Sequence, residues 1–348
     1  MSNPGDILLR AQDLKKSFSV PRTLQDALQR RPRRLLRALS GVSFDVRRGE
    51  TLGIVGESGC GKSTLARCLV RLHEPDSGSL TFEGEDVLAL SGPERRTYNR
   101  RVQMIFQDPY SSLNPRLTVR QCLAEALSVH RIVPASEINA RADRLLDLVH
   151  LPHEAANRYP HEFSGGQRQR IGIARALAVE PEIIIADEPV SALDVSVQAQ
   201  IVNLLLELQN ELGLALIFIT HDLRLVHHIA HRIAVMYLGG IMEIGPTEEI
   251  FASARHPYSR ALLAAMPRLV PGRRSGAVAV QGELPSPLFP PTGCPFHPRC
   301  PMAQAVCRQD VPGLDLRGGL WPAACHFAGS IEEPTPLPRP RARTHKGV

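Results

Sequence analysis

The sequence predicts an α/β protein: a core built on a parallel sheet, an antiparallel strand edge, an inserted helical segment and a small Cys/Pro-rich C-terminal extension. Three observations carry this. Gly56-Glu57-Ser58-Gly59-Cys60-Gly61-Lys62-Ser63-Thr64 matches the phosphate-cradling pattern G-x-x-x-x-G-K-[ST] and stands between an apolar run, residues 51–55, and a helix-forming stretch from Lys62 to Leu72. A second apolar run, Ile183-Ile184-Ile185-Ala186, ends in Asp187-Glu188-Pro189. A helical stretch from Val195 to Leu212 separates it from a third run, Leu214 to Thr220, as a buried parallel sheet demands.

In chain order, residues 7–12 and 42–46 read as edge strands. Pro21 to Arg37, rich in Arg, reads as a surface helix or loop inserted between them. The strand 51–55 feeds the phosphate loop. From about Thr118 to Ala178 the chain is helical, with Leu145, Leu146 and Val149 at helical spacing. Strand patterns return at Ile183–Asp187, Leu214–Thr220, Arg232–Leu238 and Ile241–Gly245. The expected division is a nucleotide-binding unit over 7–267 with its helical subdomain at about 110–178, an extension over 268–330, and a disordered Pro/Arg tail over 331–348.

A third string, Phe163-Ser164-Gly165-Gly166-Gln167, lies shortly before the strand that ends in Asp187-Glu188. With the phosphate loop and that strand, in this order, the chain resembles the motor subunits of ATP-binding-cassette (ABC) transporters from about residue 7 to about residue 330. The fold implied is the P-loop ABC-type nucleotide-binding domain, with a RecA-like α/β core. The usual Leu of the signature is Phe163 here, another apolar anchor.

The chemistry of the residues agrees with ATP binding and hydrolysis. Gly56, Gly59 and Gly61 let successive N–H groups turn toward phosphate oxygens, and the following helix adds its positive N-terminus. Lys62 supplies a point charge for the β- and γ-phosphates, and Ser63 a hydroxyl for Mg²⁺. Asp187 ends a strand where a carboxylate can meet that metal. By resemblance, Glu188 is the general base for the attacking water. Gln107, in Ile105-Phe106-Gln107-Asp108-Pro109, resembles the Q-loop residue that senses Mg²⁺ and water, and His221 the switch histidine at the γ-phosphate. Of 13 histidines, His221 is the one singled out; His227, His228 and His231 read as a helix face without catalytic meaning. Ser164, Gly165, Gly166 and Gln167 form an anion site at a helix start, implied by the resemblance to complete the ATP site of a facing subunit. Asp194 resembles the loop coupling the two sites. Phe18 is the expected base-stacking aromatic, with a plain core Phe as the alternative.

Cys294, Cys300, Cys307 and Cys325 are spaced C-x5-C-x6-C-x17-C, whereas Cys60, Cys68 and Cys122 are scattered. Clustered thiols in a cytosolic chain argue against disulfides. Zinc sites use close C-x2-C pairs, absent here, and four thiolates also suit a [4Fe–4S] cluster. The block resembles the C-terminal extension of oligopeptide and dipeptide permease ATPases, which implies such a cluster; zinc and an unmetallated thiol set remain open, with a structural staple the plainest purpose. Phe106–Pro115, Pro189–Gln200 and His256-Pro257-Tyr258 match the same branch, resembling its second ATPase subunit.

The resemblance implies a sister ATPase as heterodimer partner, two transmembrane permease subunits and, indirectly, an extracytoplasmic solute-binding protein. It places the chain peripherally on the cytoplasmic face of the inner membrane. No apolar run reaches the roughly 18 residues that span a bilayer, and the acidic, polar N-terminus does not read as a secretory signal. The net charge of +6 gathers at Arg30–Arg37 and in the tail, reading as solvated faces with a lipid-leaflet contact as the functional alternative. Nucleic acid is not expected: the stretch between Thr64 and Phe163 lacks the long coiled coil of DNA-maintenance ABC ATPases, and one cassette is too few for the translation type. Within the importer reading, di- and oligopeptides are the expected cargo and nickel or another small solute the alternative.

Overall fold

The computed structural model describes residues 6–21, 34–108, 113–266 and 282–328. Most of the Arg-rich insertion, part of the Phe106–Pro115 string, the start of the C-terminal extension and the Pro/Arg tail lie outside these residues.

Two sheets organise the chain. β1 (Ile7–Ser19), β2 (Leu35–Arg47), β3 (Thr51–Val55), α1 (Lys62–Leu69), β4 (Ser77–Phe82), β5 (Glu85–Asp86), α2 (Gly92–Arg101) and β6 (Val102–Ile105) make up the first third. The helical region holds α3 (Val119–Val129), α4 (Ile138–Leu148) and α5 (Gly165–Leu177). Then follow β7 (Ile183–Asp187), α6 (Val195–Leu212), β8 (Ala215–Thr220), α7 (Leu223–Ile229), β9 (Arg232–Tyr237), β10 (Gly240–Pro246), α8 (Thr247–Ser253), α9 (Pro257–Ala264) and, in the extension, α10 (Ala305–Gln309). The antiparallel sheet runs β2-β1-β4-β5, and the six-stranded sheet runs β10-β9-β3-β8-β7-β6, parallel except for β10.

Alternation along the central strands assigns each face of the large sheet. Ile183, Ile185, Ile217 and Ile219 pack with α1 and the antiparallel sheet. Ile184, Ala186, Leu216 and Phe218 pack with the helical region and the C-terminal block. Each such Ile, Leu or Phe side chain, fully buried, contributes about 1.5–3 kcal/mol, and both faces are covered as a parallel sheet requires.

The first two strands are longer than expected, and of the two only β2 is an edge strand, since β1 lies between β2 and β4. Pairing continues to Ser19↔Leu35, so Leu35, Leu36 and Arg37 are strand rather than insertion. Lys15, Lys16 and Ser17 hide this in the sequence: their polar side chains interrupt the apolar alternation, yet their backbone pairs with β2. The helix after the phosphate loop stops at Leu69 rather than Leu72: Val70 caps it and Arg71 turns left-handed at φ 55°. His231 is not on a helix face; its Nδ1 accepts from the Thr51 N–H at 3.0 Å, ahead of β9. Among the described residues, no helix is long and apolar enough to cross a membrane.

Candidate nucleotide-binding site

Sheet register builds the site. Val55 pairs with Thr220 and Val235, Asp187 with Ile219, and Ile105 with Ala186. The phosphate loop after β3, Gln107 after β6, Asp187-Glu188 closing β7 and His221 after β8 therefore gather at the carboxyl edge of one sheet, where open α/β sheets place their ligands. A cleft of about 230 Å³ lies there, lined by Ser58, Gly59, Gly61, Lys62, Ser63, Thr64, Gln107 and Glu188, with Leu36, Ala38 and Pro287.

The loop is held closely against the core. A Cβ on Gly56 would sit 2.1 Å from the Met236 carbonyl oxygen, so only glycine fits there. Lys62 is buried, and its Nζ donates to the carbonyls of Gly56 (2.8 Å) and Glu57 (3.1 Å), which aims the ammonium over the loop. Cys60 is buried behind the loop, and burial pushes its thiol pKa up, so it contributes backbone rather than sulfur to the cleft.

Ser63 Oγ donates to Asp187 Oδ1 at 3.1 Å, bringing together the hydroxyl and carboxylate that suit Mg²⁺. Burial raises the Asp187 pKa, Ser63 counters this, and the neighbouring Glu188 charge raises it further. A divalent cation would relieve that penalty.

Glu188 is fixed by its backbone. Its φ is 45°, a left-handed turn uncommon for a side-chain-bearing residue, and its N–H donates to the Ile219 carbonyl at 2.9 Å. Gln107 Nε2 donates to Glu188 Oε2 at 2.9 Å, and His221 Nδ1 lies 3.5 Å from Oε1. The carboxylate is thus oriented from two sides beside Lys62 and Ser63.

Ser164–Gln167 is a reciprocal capping box at the start of α5. Ser164 Oγ accepts from the Gln167 N–H (3.3 Å), and Gln167 Oε1 accepts from the Ser164 N–H (3.1 Å). Gly166 lies against α6, where a Cβ would meet Val197 Cγ1 at 2.4 Å. None of these four residues is among those lining the cleft. Asp194 stands at the N-cap of α6 without a side-chain cap bond.

Phe18 is half-buried opposite Leu36 in register, edge-on to His73 at 5.3 Å, with Lys16 Nζ 5.6 Å from its ring centroid. Leu36 and Pro287 line the cleft and Phe18 does not. Sequence reasoning missed Leu36, taken for part of the insertion, and Pro287, whose carbonyl accepts from the Arg37 N–H at 3.2 Å. It also missed Arg299 and Tyr258, which bind Glu57 from the far end of the chain.

The four clustered cysteines line one apolar cavity with His256, Phe296 and Phe327. Burial raises the Cys294 thiol to about 11 and pushes Cys300 and Cys325 up as well. Among the described residues, though, no three His, Cys, Asp or Glu side chains converge as a single metal ion would need.

The ABC transporter family pattern matches residues 39–191, and that of the oligopeptide/dipeptide transporter C-terminal region matches residues 242–307. The chain is 52% identical to the probable peptide ABC transporter ATP-binding protein y4tS of Sinorhizobium fredii, over 92% of this chain and 90% of that one. It is 47% identical to the oligopeptide transport ATP-binding protein AppF of Bacillus subtilis, over 92% and 98%. Among solved structures, the dimeric ATP-binding cassette MJ0796 bound to ADP and Pi superposes with a TM-score of 0.60 at 28% identity, covering 69% of this chain and 99% of that one. The Clostridium perfringens cbiO1, part of the ABC transporter complex cbiONQ, gives a TM-score of 0.60 at 29% identity over 71% and 91%.

Proposed function

The chain belongs to the ABC transporter family of ATP-binding proteins, and from that premise we propose that it is the ATP-hydrolysing motor of an importer for di- and oligopeptides. The observation that carries the reading is Glu188 held by Gln107 and His221 beside Lys62 and the Ser63–Asp187 pair.

The loop N–H groups from Gly56 to Thr64 and the N-terminus of α1 receive the phosphates, and Lys62 neutralises their charge. Ser63, Asp187 and Gln107 would hold Mg²⁺, which would supply positive charge beside the transferred phosphoryl group. Glu188 accepts the proton of the attacking water while Gln107 and His221 keep its carboxylate aimed, and ADP and phosphate leave. Phe18 stacks on the base from beside Leu36. Ser164, Gly165, Gly166 and Gln167 serve the ATP of a facing cassette, with Asp194 coupling the two sites. A sister ATPase fills the facing position. Two transmembrane permeases take up the closing motion, and a solute-binding protein delivers cargo to them outside. The chain acts as a peripheral subunit on the cytoplasmic side of the inner membrane.

Cys294, Cys300, Cys307 and Cys325 would hold a [4Fe–4S] cluster, which would tie the extension together. About four iron and four sulfide per chain are expected from protein purified without oxygen; zinc alone or no metal would remove the cluster. The transport reading is tested by uptake into vesicles carrying the chain with its permeases. ATP-driven accumulation of di- or oligopeptides supports it, and accumulation of nickel but not peptide would reassign the cargo.

A further inference from the structure

Glu57 is a carboxylate set inside the loop that, on the proposed function, holds a triphosphate. Left free, it would repel its ligand. It is gripped at three points instead. Its carbonyl accepts from Lys62 Nζ at 3.1 Å, its N–H donates to the Tyr258 hydroxyl at 3.1 Å, and its Oε2 accepts from Arg299 Nη1 at 2.9 Å.

Two of these grips come from the C-terminal part of the chain. Arg299 lies in the turn His297–Arg299 between Cys294 and Cys300, and its side chain is only 7% exposed. The guanidinium also reaches the Tyr237 hydroxyl at 3.4 Å, with its carbon 5.8 Å from that ring's centroid. Tyr237, Tyr258 and Phe296 form a buried aromatic knot, with centroids 4.7, 5.4 and 5.3 Å apart, joining β9, α9 and the cysteine block. The block is in turn seated on β10. Buried Glu243 accepts from Trp321 Nε1 at 2.7 Å, while the Ala324 N–H donates to the Met242 carbonyl at 2.7 Å and the Ile244 N–H to the Pro322 carbonyl at 3.1 Å. Arg299 is therefore a fixed arm, not a solvated side chain that happens to meet a carboxylate.

We infer that Arg299 is a positioning residue for nucleotide binding: it turns the Glu57 carboxylate away from the phosphates and neutralises it, so that the cysteine block braces the phosphate loop. The inference rests on the ATP-binding reading above. A partly buried, charge-assisted bond of this kind sets the scale of its loss. Removing Arg299 is expected to weaken MgATP binding by about 10- to 100-fold. The rate at saturating ATP should change little, because Glu188, Gln107 and His221 stay in place.

The test uses the full chain with its permeases, reading MgATP Kd and the ATPase KM and kcat for Arg299→Met, Arg299→Lys, Glu57→Gln and the double variant Glu57→Gln/Arg299→Met. Arg299→Met should raise Kd and KM with kcat held, and Arg299→Lys should recover part of the loss. In the Glu57→Gln background the same Met substitution should have little further effect, since the repelling charge is gone. A wild-type Kd in Arg299→Met, or an equal penalty with and without the Glu57 carboxylate, would overturn the inference. Should Arg299→Met fail to fold, the cycle between Arg299→Lys and Glu57→Gln decides by the same non-additivity. Wild-type protein that binds no MgATP, or binds it as well after Lys62→Ala, would instead remove the nucleotide reading and this inference with it.

Discussion

Replacing Glu243 by alanine tests whether the C-terminal block is seated as firmly as its contacts imply. Glu243 is fully buried on β10, and its two oxygens take three N–H groups. Oε1 accepts from the Arg255 N–H and from Trp321 Nε1, both at 2.7 Å, and Oε2 accepts from the His256 N–H at 3.0 Å. Alanine leaves all three donors without an acceptor in a dry interior, at about 1–3 kcal/mol each. With partial relaxation the total is about 3–6 kcal/mol, a large share of the roughly 5–15 kcal/mol that hold a domain folded. Glutamine keeps one oxygen but sets an NH₂ group against a donor, so about 1.5–3 kcal/mol is expected. Urea unfolding followed by tryptophan fluorescence reads this at the site itself, since Trp321 is the chain's one tryptophan. A loss below about 1 kcal/mol for alanine would mean that the donors find other partners, and would refute the reasoning that this seat is dry and over-determined.

Other outcomes follow from the same geometry. Burial raises the Glu182 carboxyl, but hydrogen bonds from Arg101 and Arg48 more than offset it and hold the pKa below its ordinary 4.5. Its stabilising effect is therefore present above that value and lost as pH falls through the folded pKa. Glu182→Gln should accordingly lower stability by about 1 kcal/mol at pH 7, and urea midpoints should show the gap to wild type closing in acid. Lys62→Ala should abolish MgATP binding in a direct titration, and unchanged affinity would sink the phosphate-loop assignment. Ser164→Ala removes the cap of α5, at about 1 kcal/mol in thermal melts, and should depress hydrolysis in the assembled pair of cassettes well beyond that loss of stability.

Much of the core was legible because its signals are local. The bounds of α6 are those read from the sequence, Val195 to Leu212, and Gly213 closes the helix in the left-handed conformation at φ 66°. The apolar run Ile183–Asp187 is a strand end to end because both its faces are buried. Glu188 could be named from its place after Asp187, but not its positive φ, which depends on the Ile219 carbonyl in the neighbouring strand.

What the sequence hid is long-range or mixed in polarity. Lys15, Lys16 and Ser17 break the alternation that would have extended β1. Arg299 meets Glu57 across 242 residues of chain, and no spacing rule reaches that far. His256-Pro257-Tyr258 stood out as a string, yet its part at the phosphate loop emerges only when the Tyr258 hydroxyl is seen against the Glu57 N–H. The four clustered cysteines line one cavity, yet among the described residues no three His, Cys, Asp or Glu side chains are placed to hold a metal ion.

The most direct test of the central claim is ATP turnover and nucleotide occupancy in Glu188→Gln, assembled with its permeases and the proposed sister ATPase. The account expects hydrolysis at this site to fall by about 10²–10⁴-fold while MgATP stays bound, trapping a closed ATP-loaded dimer, because Lys62, Ser63 and Asp187 are untouched. Turnover at the wild-type rate in that variant would contradict it, and Glu188 would no longer be the base.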